Sequence, residues 1–235
     1  MYKKTLFCLA NSSKPGGSCV AGKEMAGVNA GKWIRPVSSR VHREISDLER
    51  RCKGGGQAQL LDIVTIPFRN ALPESHQHEN HLVVENEFWV KEGQANWEQV
   101  KALVDPFDAN FWIGGQNTIH GLNDKLGETL AVTRESSLKL LAIPRLQIEV
   151  NVEEGYKGSP PRRRVRGRFT YEGRVYLLSV TDVEIETAYL RRGPGSYNVS
   201  DVVMCVSLAE VWKENHFAFR VIASVITEAR LEGNL

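Results

Sequence analysis

Alternating hydrophobic and polar positions mark most of the predicted strands. Leu146, Ile148, Val150 and Val152 alternate with polar residues. In the segment Phe217–Ile226 a second apolar series falls on every other position: Phe217, Phe219, Val221, Ala223 and Val225. Such alternation is typical of a strand with one face in the core. Short apolar or β-branched runs bounded by turn residues predict the remaining strands. These are residues 5–10, 18–21, 32–37, 60–68, 82–89, 165–171, 174–180 and 202–208.

Three segments instead have helical features. The first carries apolar residues every three or four positions, which places them on one helix face. The other two begin with a capping-box pair, in which a polar residue is followed three positions later by Glu or Gln. The predicted helices are residues 39–52, 96–104 (capped by Asn96 and Gln99) and 182–192 (capped by Thr181 and Glu184).

Each half of the chain therefore contains several short strands and at least one helix, a pattern that suits a pair of small β-barrels. Tight turns are expected at residues 15–17 and 172–173, and a long loop at 107–127. We expect a mainly β fold with a few helices, formed by two barrels in tandem. The predicted domains are residues 1–132 and 133–235.

Composition narrows the class of protein. The chain has 235 residues, 42% of them hydrophobic, and four scattered cysteines without a C-x-x-C pair. No apolar run is long enough for a bilayer span or a signal peptide. These features predict a cytoplasmic protein with reduced thiols, no membrane association and no structural zinc.

The formal net charge is only +2, but positive charge is concentrated between Lys157 and Arg174. Arg164, Arg166 and Arg168 alternate there and share one strand face. With Phe169, Tyr171 and Tyr176 nearby, this surface combines cations and aromatic rings, as proteins that bind single-stranded nucleic acid do. The alternative is a solvated basic hairpin that serves only solubility. Residues 162–168 as a whole (Arg162, Arg164, Arg166, Arg168) are candidate phosphate contacts.

Residues 9–38 form the most distinctive segment. Asn11, Ser12 and Lys14 lie where the first predicted strand stops, so we expect their side chains at a sheet edge. Trp33 and Arg35 follow in the third predicted strand. Together they present polar, cationic and aromatic groups suited to an anionic partner.

Three motifs suggest catalysis but depart from the patterns they resemble. His76, His78 and His81 have the spacing of a hydrolase metal box, yet Asn80 replaces its essential Asp. Residues 17–23 meet the G-x-x-x-x-G-K spacing, but Glu24 follows in place of Ser or Thr and no helix pattern begins there. Cys19 has His42 or His120 as a conceivable base, with nothing in the sequence to bring them together. We favour an ordinary polar loop for the histidine segment, a β-turn for the glycine segment and a packed thiol for Cys19. We expect neither a metal nor a cofactor.

Asp182 has two interpretations. Thr181 and Asp182 are good helix-capping residues, which gives a purely structural explanation. Alternatively, the Asp182 carboxylate faces a ligand or completes a site with Arg35.

Several segments resemble the bacterial dual OB-containing domain family. They are LANSSK, CVAGKE and GKWIRPVS near the start, LLDIVTIP and QHEN in the middle, and YLLSVTDVEIE and VSLAE near the end. Ser18 departs from the basic residue often found before this cysteine, which would remove one phosphate contact. The resemblance implies two OB-type barrels and nucleic-acid or nucleotide binding, often considered in prokaryotic defence. Carried over, it points to Asn11, Ser12, Lys14, Arg35, Glu79, Asn80 and Asp182.

We therefore expect a non-enzymatic module that binds or senses nucleic acid. Cations would contact phosphates, Trp33, Trp89 or Tyr171 would stack on bases, and Asn11 and Asn80 would contact base edges or sugars. The alternatives are a regulatory domain with a nucleotide or small-molecule pocket between the barrels, and a metal-dependent nuclease or hydrolase. The expected partner is single-stranded nucleic acid or a nucleotide. A protein encoded as part of the same cellular system is a further candidate partner.

Overall fold

The structure is a computed structural model and describes residues 1–155 and 158–234. Lys157, part of the predicted basic cluster, lies outside the described residues. Within the described part, the strands are β1 (Tyr2–Lys14), β2 (Gly17–Glu24), β3 (Trp33–Val37), β4 (Asp62–Ala71), β5 (Asn80–Val83), β6 (Val90–Gln94), β7 (Lys125–Gly127), β8 (Leu138–Glu153), β9 (Arg162–Tyr171), β10 (Arg174–Val180), β11 (Gly195–Leu208) and β12 (Phe217–Ile226). The helices are α1 (Trp97–Ala102), α2 (Ala109–Trp112), α3 (Glu128–Ala131), α4 (Val183–Arg192) and α5 (Glu228–Leu231).

The chain divides into two compact units. The first contains residues 1–103 and 135–138, and the second contains residues 104–134 and 139–235. This division differs from a single boundary at residues 132/133, because the chain crosses between the units three times.

The first unit is a closed five-stranded barrel. Its strand order is β1-β2-β3-β5-β4, and β4 pairs back with β1. The β3–β5 pair is parallel, whereas β1 is antiparallel to both β2 and β4. Strand β6 extends the sheet beyond β4.

The second unit repeats this connectivity. Its pairings run β8-β9-β10-β12-β11 and return to β8, and β10–β12 is the parallel pair. If the strands of each ring are numbered one to five in chain order, both rings read 1-2-3-5-4-1. This is the connectivity of the OB barrel, so the prediction of a mainly β protein with two OB-like barrels is confirmed.

Each unit has its own hydrophobic core. In the first unit the core includes Leu6, Ile66 and the fully buried Trp89. In the second unit it includes Ile148, Met204 and residues from all five barrel strands.

The alternation predicted for residues 146–152 is confirmed for Leu146, Ile148 and Val150, which lie in the core, but Val152 is 63% exposed. The strand predicted at residues 217–226 is confirmed, but the face predicted for its first half is wrong. There Ala218, Arg220 and Ile222 are buried, and Phe217, Phe219 and Val221 are only half-buried.

Several predicted local features are confirmed. Asn96 caps α1 in a full capping box with Gln99, with both hydrogen bonds formed. The turn between β9 and β10 is formed by Glu172 and Gly173, both with positive φ, as a tight hairpin requires. No helix in the described ranges is long and apolar enough to cross a membrane.

The predicted helix at residues 39–52 is wrong. The segment consists of turns, and the Ile45 backbone pairs in both directions with Ser18, at 2.9 Å each way. Val41 and Leu48, expected on a buried face, are 91% and 69% exposed. Their apolar spacing is therefore a coincidence, and β2 satisfies backbone groups that a helix would have paired internally.

Three other expectations need correction. The strand predicted at residues 82–89 is interrupted after Val83, and Asn86 has a positive φ of 64°. The loop predicted at residues 107–127 contains α2 and β7. The capping residue of α4 is Asp182 and not Thr181, because the Asp182 side chain accepts the Ile185 amide hydrogen.

Candidate nucleic-acid interface

The second strand of the second barrel, β9, carries the arginine run. Val165 and Phe169 point into the core and Gly167 packs closely against Ile222, so the arginines between them face outward. In OB barrels, oligonucleotides are bound by the face of strands two and three and by the loop joining strands one and two. The arginine strand therefore lies where this fold presents its ligand contacts.

Three of the five β9 arginines are already engaged. Arg166 forms a bidentate pair with Glu153, at 2.5 and 2.9 Å, and Arg168 pairs with Glu149 at 2.5 Å. Arg163 donates to the Leu190 carbonyl at 3.2 Å, near the end of α4. The central part of the strand is thus largely neutralised by carboxylates of the neighbouring strand β8.

Arg162 and Arg164 differ from these three. Neither guanidinium makes a hydrogen bond or close ion pair with another residue in the described ranges. Both line a cavity of about 510 Å³ at the base of the β8–β9 loop. The rest of its lining consists of Glu153, Glu154, Gly155, Ser159, Pro160 and Pro161.

The electrostatics around this cavity favour an added anion. Burial lowers the pKa of Arg164, and the positive charge of Arg162 lowers it further, against the opposite effect of Glu153 and Glu186. Burial also raises the pKa of Glu186, against the lowering effect of the two arginines. Repulsion from Arg162 thus adds to the effect of burial on Arg164, and an anion bound beside both arginines would offset that repulsion.

The aromatic rings predicted to stack on bases pack against each other. Phe169 stacks on Tyr176 inside the core, with ring centroids 5.2 Å apart. Tyr171 is half-buried and contacts the rings of Phe107 and Trp112, at 5.9 and 5.3 Å. Burial thus removes two of these rings from contact with a base and partly covers the third.

Residues 122 and 123 pair with one edge of the third strand of the second barrel. Leu122 and Leu177 exchange two backbone hydrogen bonds, at 3.1 and 3.2 Å. The Asn123 side-chain amide also donates to the Val175 carbonyl at 2.9 Å. This edge of β10 is therefore occupied by the protein's own chain, and the outward Leu177 side chain is only 8% exposed.

In the first unit, three of the predicted ligand residues come together. Arg35 on β3 pairs in register with Asn80 on β5, and the Arg35 amide donates to the Glu79 carbonyl at 2.7 Å. The Arg35 guanidinium lies 3.3 Å from the Glu79 carboxylate and donates to the Ser137 hydroxyl at 2.7 Å. The Ser137 hydroxyl in turn donates to Glu79. The cluster is almost completely buried, with Arg35 only 3% exposed.

The tryptophans predicted to stack are also buried in the first unit. Trp89 is completely inaccessible, and Trp33 is 9% exposed with the Lys23 ammonium 5.4 Å above its ring. The same ammonium donates to the Leu103 carbonyl at 2.6 Å. Lys23 thus has a structural role on β2, and no loop and helix follow it as a phosphate-binding loop would require.

Asn11, Ser12 and Lys14 were expected after the end of the first strand, and this expectation is wrong: β1 continues to Lys14, and all three residues pair with β2. Asn11 accepts from Arg50 at 3.3 Å, Ser12 is buried, and Lys14 is half-buried beside the Pro15–Gly16 turn. They belong to the first unit, as do Arg35 and Glu79, whereas Asp182 and the β9 arginines belong to the second.

Asp182 is fully engaged within its own unit. One carboxylate oxygen accepts from the Ile185 amide and from Arg230, and the other accepts from the Val225 amide and from Arg230. These four hydrogen bonds fix the start of α4 to β12 and to α5. The structural interpretation of Asp182 accounts for every one of its bonds.

The histidines of the apparent metal box lie in different environments. His76 is buried, His78 is exposed, and the His81 ring contacts Tyr2 and Phe68. Among the described residues, no group of three or more His, Cys, Asp or Glu side chains is arranged to hold a metal ion. Cys19 is half-buried on β2, and His120 belongs to the other unit.

The carboxylates that decide which β9 arginines remain free to contact a ligand were not predicted from the sequence. Glu149 and Glu153 could have been found, because they share the outward face of β8 opposite the arginines. Ser137 gave no such signal, since it lies more than fifty residues from Glu79 in the sequence.

The comparisons with known proteins agree with the strand connectivity. The family model of the dual OB-containing domain matches residues 4–225, nearly the whole chain. The chain belongs to this family. No curated protein and no solved structure matches the chain significantly. The family assignment supports an OB-fold module, consistent with binding.

Proposed function

We propose that this dual OB protein is a non-enzymatic nucleic-acid-binding module. It contacts phosphates through Arg162 and Arg164 on the second strand of the second barrel. The observation that carries the proposal is that these two arginines, unlike their neighbours on β9, have no hydrogen-bond or close ionic partner among the described residues and line one cavity. OB barrels bind oligonucleotides with this strand and the loop before it.

Fluorescence anisotropy with labelled single-stranded DNA and RNA tests the proposal. We expect binding that weakens between about 50 and 200 mM salt, because phosphate contacts release counterions. The double variant Arg162→Gln/Arg164→Gln should lose at least about tenfold in affinity, equivalent to about 1.4 kcal/mol. The control Lys101→Gln/Arg145→Gln removes the same charge at exposed sites elsewhere and should bind like the wild type. Equal binding by all three proteins would contradict the proposal.

A second candidate is a nucleotide-binding regulatory domain. The cavity volume of about 510 Å³ is in the range of small-molecule sites and supports this alternative. Thermal-shift measurements against mononucleotides and cyclic nucleotides would test it, since a ligand that binds only the folded state raises the melting temperature. A role in prokaryotic defence and a cytoplasmic location stay predictions from the sequence.

A further inference from the structure

We infer that the cavity beside Arg162 and Arg164 takes a terminal phosphoryl group, at the end of an oligonucleotide or on a mononucleotide, and not the internal phosphates of a continuous strand. This inference rests on the proposed function and makes it more specific. Three features of the second unit carry it.

The first feature is the neutralised path along β9. A strand of nucleic acid that followed the arginine row beyond Arg164 would next meet Arg166 and Arg168. Both are held by carboxylates, at 2.5 Å from Glu153 and Glu149. A phosphate there would have to displace a carboxylate from a close, charge-assisted bond. On this outward face, an anionic ligand can therefore contact only Arg162 and Arg164 without displacing a carboxylate.

The second feature is the covered path across the barrel. An oligonucleotide on an OB barrel normally continues from strand two onto strand three. Here Leu177, whose side chain alternates with the core residues Tyr176 and Leu178 and so faces outward, is only 8% exposed. The edge of β10 beside it is paired with Leu122. A ligand at the cavity therefore finds little accessible surface at the middle of β10.

The third feature is the match between the cavity and a single phosphoryl group. Arg162 and Arg164 are two residues apart on one strand, so their Cα atoms are about 7 Å apart and their long side chains can converge on one anion. A phosphomonoester has three acceptor oxygens and a charge of about −1.5 to −2, which suits two planar guanidinium groups.

The test compares one oligonucleotide of about ten nucleotides in three forms: 5′-phosphorylated, 3′-phosphorylated and without terminal phosphate. We expect at least one phosphorylated form to bind about tenfold or more tightly than the unphosphorylated form. With one or two phosphate contacts, the slope of log affinity against log salt should be about −0.7 to −1.4. Arg162→Gln/Arg164→Gln should abolish the preference, whereas Lys101→Gln/Arg145→Gln should keep it.

Competition with nucleoside 5′- and 3′-monophosphates separates the two sources of the phosphoryl group. Displacement by a mononucleotide at similar concentration would identify a nucleotide site, and displacement only by oligonucleotides would identify a nucleic-acid end. Equal binding of all three oligonucleotides, with a salt slope steeper than about −3, would overturn the inference while leaving nucleic-acid binding intact. Absence of binding by every probe would overturn the proposed function itself.

Discussion

The two barrels have the same strand connectivity but differ in the exposure of the charged and aromatic side chains on their second and third strands. On strands two and three of the first barrel, the outward side chains of Lys23, Trp33 and Arg35 are all buried. On strand two of the second barrel, Arg162 is exposed and Arg164 is partly exposed. The OB connectivity therefore does not by itself locate a binding site. The proposed site is distinguished by the accessibility of its two arginines and by their lack of a close ionic partner among the described residues.

A second difference concerns the buried arginine that each unit contains. In the first unit, Arg35 is opposed by the Glu79 carboxylate. In the second, Arg220 is 1% exposed and donates to the carbonyls of Asn123, Phe111 and Ile113, at 2.9, 2.8 and 3.4 Å. Burial lowers the pKa of Arg220 to about 10, so it stays charged at neutral pH. Three predictions test how these differences affect each unit.

The largest effect is expected at Arg220. Arg220→Ala would remove the donors of three backbone carbonyls and leave a large cavity, at a cost of about 4–5 kcal/mol of unfolding free energy. Residues 111–123, which include Leu122 that pairs with β10, should lose protection first. Hydrogen exchange resolved by segment measures this, because it reports the opening of each region of the chain separately.

Arg145→Ala is the matched control for Arg220. Arg145 is exposed and bonds only the Asn198 side chain among the described residues, so its loss should cost less than about 0.5 kcal/mol. A small effect of Arg220→Ala, or one confined to the first unit, would show that the hydrogen bonds from Arg220 to the three carbonyls do not stabilise the second unit.

The next effect is expected at Glu79. Glu79→Ala would leave the Arg35 charge buried without its carboxylate, which costs about 3 kcal/mol. The double variant Arg35→Met/Glu79→Leu removes both charges and should recover most of that loss, since apolar residues often replace a buried pair without penalty. Chemical denaturation, followed by hydrogen exchange in β3 and β5, provides the measurement. If the double variant is as unstable as Glu79→Ala, the pair is not the main source of the loss.

The sequence was most informative where a local pattern determines the structure. Capping by Asn96, the Glu172–Gly173 hairpin and the alternation of residues 146–150 in β8 all depend on neighbouring residues, and each was predicted correctly. Residues 39–52 had an equally clear helical pattern, yet Ile45 pairs with Ser18 on a strand far away in the sequence. Tertiary hydrogen bonds there override the local pattern.

The candidate site was predicted less completely, for a physical reason. The alternation of Arg164, Arg166 and Arg168 correctly predicted a shared outward face, but not which of them would be neutralised. The β8–β9 register sets Glu149 opposite Arg166 and Glu153 opposite Arg162, but the ion pairs form diagonally, between Glu149 and Arg168 and between Glu153 and Arg166. Likewise, the sequence indicated that Arg35, Glu79 and Asn80 were candidate ligand residues. It did not indicate that Ser137 would complete their buried cluster.

The smallest effect is a difference in how the two units respond to mild acid. In the first unit, burial and the nearby Lys4 lower the pKa of His81, against the raising effect of Glu24 and Glu79. The unfolded chain then binds more protons, so stability from this group is present above about pH 6.5 and is lost as the pH falls toward the lowered pKa. In the second unit, burial raises the pKa of Glu186, so the sign is opposite. Its contribution is present below about pH 4.3 and is lost as the pH rises through the raised pKa.

Acidification from about pH 7.5 to 5.0 should therefore weaken the first unit by up to about 1 kcal/mol and leave the second unchanged or slightly stabilised. Hydrogen exchange in β5 and in β9, corrected for the intrinsic pH dependence of exchange, compares the units within one sample. His81→Gln should flatten the response of β5, and Glu186→Gln that of β9. The depressed pKa of Asp108 does not interfere, because it acts below the usual Asp pKa of about 3.9, outside this range. Parallel changes in β5 and β9, insensitive to both substitutions, would mean that the units respond to acid as one and that these two groups do not set the difference.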